Sequence, residues 1–377
     1  MSFRNISRHF TILSYSASVP TVGTGNVSPD SCRRRPGRSG WALTAVDRRR
    51  FAGSKCVVTG GLGFIGSNLS LALAEAEADV TVVDAAVARH GANPENLLGS
   101  ARPIVVLQAD IGDQGAVTEA VAGAHYVFNL AGQVSHIDAM ENPVFDLDMN
   151  VRSHLRFLET LRKVAPDSVV VHASTRLVYG RPQSLPVDET HPCNPHDVNG
   201  VTKLAGEQLH LVYRRMHGLR ACSLRLCNIY GPRQRIDDDR QGVLPSFIRM
   251  ALDDEPLTLF GKGLQVRDCL YVDDAVEAFL AAAVNPAAVG EVFNISHDTP
   301  LPLRFIAEEV VAAVGRGRIV SVPWPYEQAQ IDIGSYFGDS SKAARVLGWR
   351  PAVGLTEGLA RTVRFYREHR PCYLSST

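Results

Sequence analysis

In the stretch HDVNGVTKLAGE, Asn199 and Lys203 stand four residues apart at the head of a helical run. A lysine whose pKa is depressed by burial can exchange a proton near neutral pH, whereas an asparagine amide only donates and accepts hydrogen bonds. Upstream, TGGLGFIG spaces Gly60, Gly63 and Gly66 as GxxGxxG, with Phe64 and Ile65 inside the turn. Glycines so placed allow a tight turn, close backbone approach to a pyrophosphate and close packing of helix on strand. The helix that follows offers unpaired N–H groups and a positive dipole end to phosphates. Asp84 closes the next apolar run, DVTVVD. A carboxylate there accepts hydrogen bonds from an adenosine ribose and repels a 2′-phosphate. The next residues are Ala85, Ala86 and Val87, with no arginine among them, so NAD is expected rather than NADP. Asp110, with Ile111 after it, ends a third run and reads either as an adenine contact or as a solvated strand end.

Positioning these residues requires strands buried on both faces. KCVVT, DVTVVD, PIVVLQAD, HYVFNLA, SVVVHAST and RACSLRLCN are apolar runs of strand length. Between most of them lie helical stretches: FIGSNLSLALAEA, DQGAVTEAVAG, FDLDMNVRSHLRFLETLRKV and GVTKLAGEQLHLVYRRMH. The alternation predicts an α/β fold, a Rossmann-type doubly wound parallel sheet over residues 51–230. After Tyr230 the rhythm loosens, and a smaller C-terminal α+β lobe is expected over 231–377, partly interleaved with the sheet and holding short strands at LTLF and EVFNIS. Ligands of such sheets bind at the strands' carboxyl ends.

With 377 residues, 45% of them apolar, the chain can bury a large core. No run reaches the ~18 apolar residues of a membrane span, so no membrane association is expected. Residues 1–50 hold nine arginines against Asp30 and Asp47, leaving 30 basic and 37 acidic residues in the rest. That mildly acidic body argues against a nucleic-acid partner. The leader, rich in Ser, Arg, Gly and Pro, is expected to be disordered, either as a dispensable tail or as a transit segment. Seven scattered cysteines, without CxxC or zinc-ligand spacing, fit reduced thiols in a cytoplasmic protein, and no metal is expected.

Together the motifs VVTGGLGFIGSNL, NLAGQVS, STRLVYG, TKLAGEQ, RLCNIYGPRQ, RDCLYVDDAVEAF and DSSKAARVLGW stand in an order that resembles the extended short-chain dehydrogenase/reductase family. The resemblance spans about Lys55 to Arg367, and its nearest members are the NAD-dependent nucleotide-sugar epimerases and dehydratases. It implies a transient keto-sugar, with C4 the leading carbon, and a homodimer built on two helices. It implies that Lys203 holds the nicotinamide ribose and that Thr175 bonds the reacting hydroxyl. Ala131, Gly132 and Gln133 would line the far side of the site, with Gln133 and His136 toward the substrate. Asn228, Arg267 and Arg233 would meet the substrate's diphosphate, unless Arg267 merely pairs with Asp268 at the surface.

Two departures narrow the chemistry. The tyrosine of the family's YxxxK is Asn199 here, and an amide cannot take and return a proton. Tyr179, His136, His196, Asp197, His191 and Lys203 itself are the alternative proton carriers. The pair that dehydratases use for elimination is replaced by Arg176 and Leu177, which cannot supply that chemistry; Arg176 is either a substrate contact, for an acidic sugar, or solvated. The leading expectation is a nucleotide-sugar epimerase with an unusual base. Another nucleotide-sugar oxidoreductase or dehydratase, and a catalytically silent NAD-binding protein, are the alternatives.

Overall fold

The computed structural model describes residues 46–374 apart from 88–89, 239–241 and 327–332. Its strands are β1 Lys55–Thr59, β2 Asp79–Asp84, β3 Val105–Gln108, β4 Tyr126–Asn129, β5 Val169–Thr175, β6 Arg220–Leu226, β7 Asn228–Tyr230, β8 Pro256–Phe260, β9 Val266–Arg267, β10 Cys269–Tyr271, β11 Val292–Ile295, β12 Leu301–Pro302 and β13 Arg318–Val322. Seven of them make one parallel sheet in the order β11-β6-β5-β4-β1-β2-β3. The winding reverses between β1 and β4, which opens a crevice at the carboxyl ends of those strands.

Consecutive valines explain the two covered faces. Val58 and Val171 pack on one side, against α1 (Phe64–Glu75) and a later helix, Val272–Val284. Val57 and Val170 pack on the other, against α2 (Gln114–Val121) and two long helices described next. A strand residue and its neighbour point to opposite faces, so a run apolar at every position is one buried on both.

The stretch FDLDMNVRSHLRFLETLRKV is helical but not uniform. After the short α3 (His136–Glu141), α4 (Pro143–Leu147) passes through a π turn at Asp148–Arg152 into α5 (Ser153–Val164). Such widened turns recur at functional sites, and this one carries Asn150. Next comes α6 (Val198–His217), capped by the Asp197 side chain on the Gly200 N–H and ended by Gly218 at φ 75°.

The second core lies beyond Tyr230 and gathers Phe247, Ile306, Val310, Leu359 and Val363. Two expectations need correction. EVFNIS does not belong to that lobe: β11 pairs with β6 and becomes the edge of the main sheet. The leader, expected to be disordered through residue 50, is ordered at its end. Asp47 caps a short turn at Arg48–Phe51, Phe51 is fully buried against Tyr126, and Arg48 pairs with Glu277. Residues 1–45 lie outside the described residues.

Candidate active site

The glycine-rich turn is as tight as its spacing predicts. Gly60 has φ 68°, and a Cβ there would lie 2.8 Å from the Leu130 carbonyl oxygen. A Cβ on Gly66 would lie 2.2 Å from the Gly60 carbonyl oxygen, so the helix touches the turn itself. Gly63 heads α1 and offers no side-chain cap, leaving the first-turn N–H groups of Phe64 and Ile65 directed at the crevice. Asp84 is buried at the end of β2. It accepts from the Leu62 N–H at 3.0 Å and the Ala86 N–H at 2.8 Å, which ties the turn to the strand. Burial pushes its carboxyl up, and those two N–H donors oppose the shift. Asp110 accepts from the Gly112 N–H and from Ser153, while Ile111 beside it is buried. This cradle fits a dinucleotide: side chains are absent where a pyrophosphate must approach, and a carboxylate stands where a ribose would end.

Lys203 rises from α6 against the β4 loop. Gly132, at φ 143°, is the residue it meets, and a Cβ there would fall 2.7 Å from Nζ and 2.5 Å from Asn150 Oδ1. Burial lowers the Lys203 pKa to about 8, with Asp146 holding it from falling further. Among the described residues Nζ makes no hydrogen bond.

Asn199, one helical turn before Lys203, is clamped rather than loose. Its Nδ2 donates to Asp146 Oδ1 at 2.9 Å, to Gln133 Oε1 at 3.1 Å and to the Gln133 carbonyl at 3.2 Å. Thr202 donates to the other oxygen of Asp146 and accepts from Asn150 Nδ2 at 3.2 Å. Asn150 Oδ1 accepts in turn from the Gln133 N–H at 3.0 Å. Three acceptors around Nδ2 fix the amide orientation and leave Asn199 Oδ1 without a protein donor among the described residues. Asp146, fully buried, was missed by the sequence reading: one acid in an amphipathic helix carries no local mark, and its partners arrive from 53 and 56 residues away.

Other candidates are placed differently than expected. The Tyr179 hydroxyl is fully buried, donates to Asn294 Oδ1 at 2.7 Å and accepts from Arg225 Nη1 at 2.8 Å. Burial pushes its pKa up to about 12, so Tyr179 supports the core and is no proton carrier. Gln133 also turns inward, its amide taken by Asn199 and by the Ser135 carbonyl. Arg233 is half-buried between α1 and the C-terminal helices, donating to Asn68 Oδ1 and the Asn96 carbonyl above the Phe365 ring; that brace ties it to the fold rather than to a substrate diphosphate. His191 accepts from the Gln183 N–H, and His196 is exposed beside Met140, Val144 and Leu147.

Thr175 ends β5, and its hydroxyl accepts from the Leu177 N–H at 3.2 Å. Arg176, next along, donates from Nη2 to Asn228 Oδ1 at 3.2 Å and lies over the Tyr336 ring. Both hydrogens of the Asn228 amide go to Asp268, so Asn228 positions Arg176 rather than offering its amide to a ligand. Asp268 is fully buried, with its pKa pushed up to about 6 by that burial, and also accepts from the Gly338 N–H. A surface pair with Arg267 is therefore not its role. Arg267 donates to the Val266 and Gly334 carbonyls. His136, half-buried, stands close enough to Arg176 and Asp197 to feel both charges; burial lowers its pKa and Asp197 opposes the fall.

Behind this site lies an unforeseen cluster. His154, His172 and His210 are all buried, with ring nitrogens within 4.8 Å of one another. Asn129 donates to His210 Nε2 at 3.1 Å and to His154 Nδ1 at 3.5 Å, while Thr59 donates to its Oδ1 at 2.7 Å. The lone pairs of those two rings thus face an amide. His172 stacks on His210 at 4.1 Å, and neither of its nitrogens makes a hydrogen bond. Parallel rings cannot both direct in-plane lone pairs at one ion, so the arrangement is a neutral core and not a metal centre.

A glycine cradle at the switch point of the sheet and a buried lysine define a dinucleotide-dependent enzyme of the doubly wound class. The chain belongs to the NAD dependent epimerase/dehydratase family, whose model matches residues 56–296, and NAD is its cofactor. It is 33% identical over 327 residues to a putative UDP-glucose 4-epimerase of Methanocaldococcus jannaschii, covering 83% of this chain and 98% of the relative. The UDP-glucose 4-epimerase of Thermotoga maritima, solved with UDP-glucose, superposes with a TM-score of 0.76 at 31% identity, covering 84% and 99% of the two chains. MoeE5, solved with UDP-glucuronic acid and NAD, superposes with a TM-score of 0.73 at 27% identity, covering 84% and 100%. Among the described residues no helix is long and apolar enough to cross a membrane.

Proposed function

We propose that this protein epimerises a nucleotide sugar at C4, with Lys203 carrying the proton that a tyrosine carries in relatives with an intact YxxxK. One observation supports this above others: Lys203 Nζ, beside Gly132, and Asn199 Oδ1, one helical turn earlier beside Gln133, are both unspent. NAD held at the glycine turn supplies the hydride acceptor and donor that convert a sugar carbinol to a ketone and back. Asn199 Oδ1 accepts a hydrogen bond from the reacting hydroxyl and orients it. Thr175 holds the same hydroxyl from the end of β5. Lys203, with its pKa lowered to about 8, takes the hydroxyl proton and returns it, because its two protonation states lie close in energy near neutral pH.

Arg176 and Leu177 supply no acid–base pair for elimination, which favours epimerisation over dehydration. His136 faces the same end of β5 and assists binding. A second copy of the chain covers the exposed Val144, Leu147 and Val201 on α4 and α6, giving a cytoplasmic homodimer. The test is to incubate NAD-loaded protein with UDP- and dTDP-hexoses and follow products by NMR. Interconversion of C4 epimers without added cofactor is the expected result. Stoichiometric release of NADH would mean a net oxidoreductase, and absence of any reaction would sink the epimerase reading.

A further inference from the structure

Arg176 is half-buried and held by its neighbours, yet part of it is unspent. Its guanidinium lies over the Tyr336 ring at 5.1 Å, and Nη2 is fixed on Asn228 Oδ1 at 3.2 Å. Asn228 is itself fixed by both the carbonyl and the carboxylate of Asp268, at 3.0 and 3.1 Å. Asp268 is anchored by the Gly338 N–H at 3.0 Å. The chain of contacts sets the plane of the guanidinium without consuming it: Nη1 is buried and has no hydrogen-bond partner. The buried Asp268 carboxylate feels the Arg176 charge but gives Nη1 no hydrogen bond, and the group that best satisfies such a donor is an anion.

We propose that Arg176 is the subsite for a carboxylate on the sugar, making the preferred substrate a nucleotide-linked hexuronate. The proposal rests on the C4-epimerase reading above. The argument is one of reach. Thr175, the adjoining residue, holds the hydroxyl of the reacting carbon, so Arg176 serves the atoms next to that carbon. In a hexuronate the carboxylate sits on C5, directly beside C4. The diphosphate sits on C1, across the ring, and is too distant to serve the same arginine. His136 lies close enough to Arg176 to sense its charge, and it adds a second nitrogen donor on that side. A planar guanidinium matches a carboxylate with paired N–H donors, which gives discrimination over a neutral hydroxymethyl group.

The experiment measures calorimetric affinity of NAD-loaded protein for UDP-glucose and UDP-glucuronate, and for the dTDP-linked pair, with turnover followed by NMR in the same samples. The acidic member of at least one pair is expected to bind tenfold or more tightly than its neutral partner. Arg176→Leu should erase that preference while changing affinity for the neutral sugar less than about threefold. Arg176→Lys keeps the charge but loses the planar fork, and should retain only part of the preference; it also serves if the leucine variant fails to fold. If neither acidic sugar binds better than its neutral partner, the proposal is overturned. It is equally overturned if Arg176→Leu weakens neutral sugar and free UDP alike, because that pattern belongs to a diphosphate contact. Turnover separates the two readings. Neutral sugars epimerised without preference would sink the carboxylate subsite alone, while tight hexuronate binding without epimerisation would sink the epimerase reading alone.

Discussion

The Asn199 amide donates to Asp146 Oδ1 at 2.9 Å, in a space from which water is excluded and beside the ammonium of Lys203. The carboxylate thus does two things at once. It immobilises the Asn199 side chain, and it supplies the main opposing charge for the lysine. A short amide and a buried acid thus form one unit beside the lysine.

From this pairing, Asn199→Tyr should not restore activity. A phenol has no room between Gln133 and Asp146, and it breaks the Asp146 contact. Turnover should fall by tenfold or more, read from initial rates on whichever sugar the NMR screen identifies. A rise in turnover would instead mean that the native site is simply crippled.

Asp146→Ala removes one acceptor from two buried donors, leaving the Asn199 amide on Gln133 and the Thr202 hydroxyl on the Asn199 carbonyl. A hydrogen bond to a charged acceptor contributes about 1.5–3 kcal/mol, and the retained acceptors offset part of the loss, so urea denaturation should show a fall of about 1–3 kcal/mol. The same variant should lower the Lys203 pKa, because the charge that raises it is gone.

Catalysis by Lys203 has a definite pH signature. The lysine must be neutral to accept a proton, so kcat should rise with pH and level off above about 8. Asp146→Asn should move that limb to lower pH. Lys203→Met should abolish turnover at every pH, and a pH-independent rate in the native protein would rule the lysine out.

The buried histidines predict acid sensitivity. Burial lowers the pKa of His210 to about 4, and holds His154 and His172 well below their ordinary value near 6.5. In the unfolded chain each protonates as pH falls through ~6.5, while in the fold it stays neutral. Their contribution is therefore complete above pH 6.5 and is lost progressively as pH falls from there toward 4. Each adds a slope of up to about 1.4 kcal/mol per pH unit in that window. His172, which makes no hydrogen bond, can be replaced by Phe at little cost. His172→Phe should flatten the decline, measured as the difference in urea stability between pH 7 and pH 5.

The cofactor half of the site was legible because its constraints are local. Gly60, Gly63, Gly66 and Asp84 lie within one strand–turn–helix–strand unit, and each glycine answers to a backbone contact within that unit. Lys203 was legible through the TKLAGEQ motif and the family resemblance that motif helps carry. The substrate half was not, because its residues are defined by partners far along the chain. Arg233 sits in a recognisable YGP turn, but only the fold reveals that Asn68 and Asn96 take its donors, 165 and 137 residues away. Tyr179 reads as a proton carrier from its place after Thr175, but its hydroxyl is taken by Asn294 and Arg225 from two other strands. Likewise β11 reads as a lobe strand by position, because nothing local announces that its hydrogen-bonding partner is β6.

That last pairing has a consequence for how the molecule comes apart. The chain leaves the sheet after β6, builds about half of its second core, and returns to lay β11 along β6, with Asn294 reaching the Tyr179 hydroxyl, before it completes that core. A fragment cut after Tyr230 would expose a bare β6 edge and an unanswered phenol, a template for pairing with other chains. The two halves are thus stitched rather than hinged. Limited proteolysis of the native protein should yield no folded N-terminal fragment, and denaturant should melt both cores in one cooperative transition.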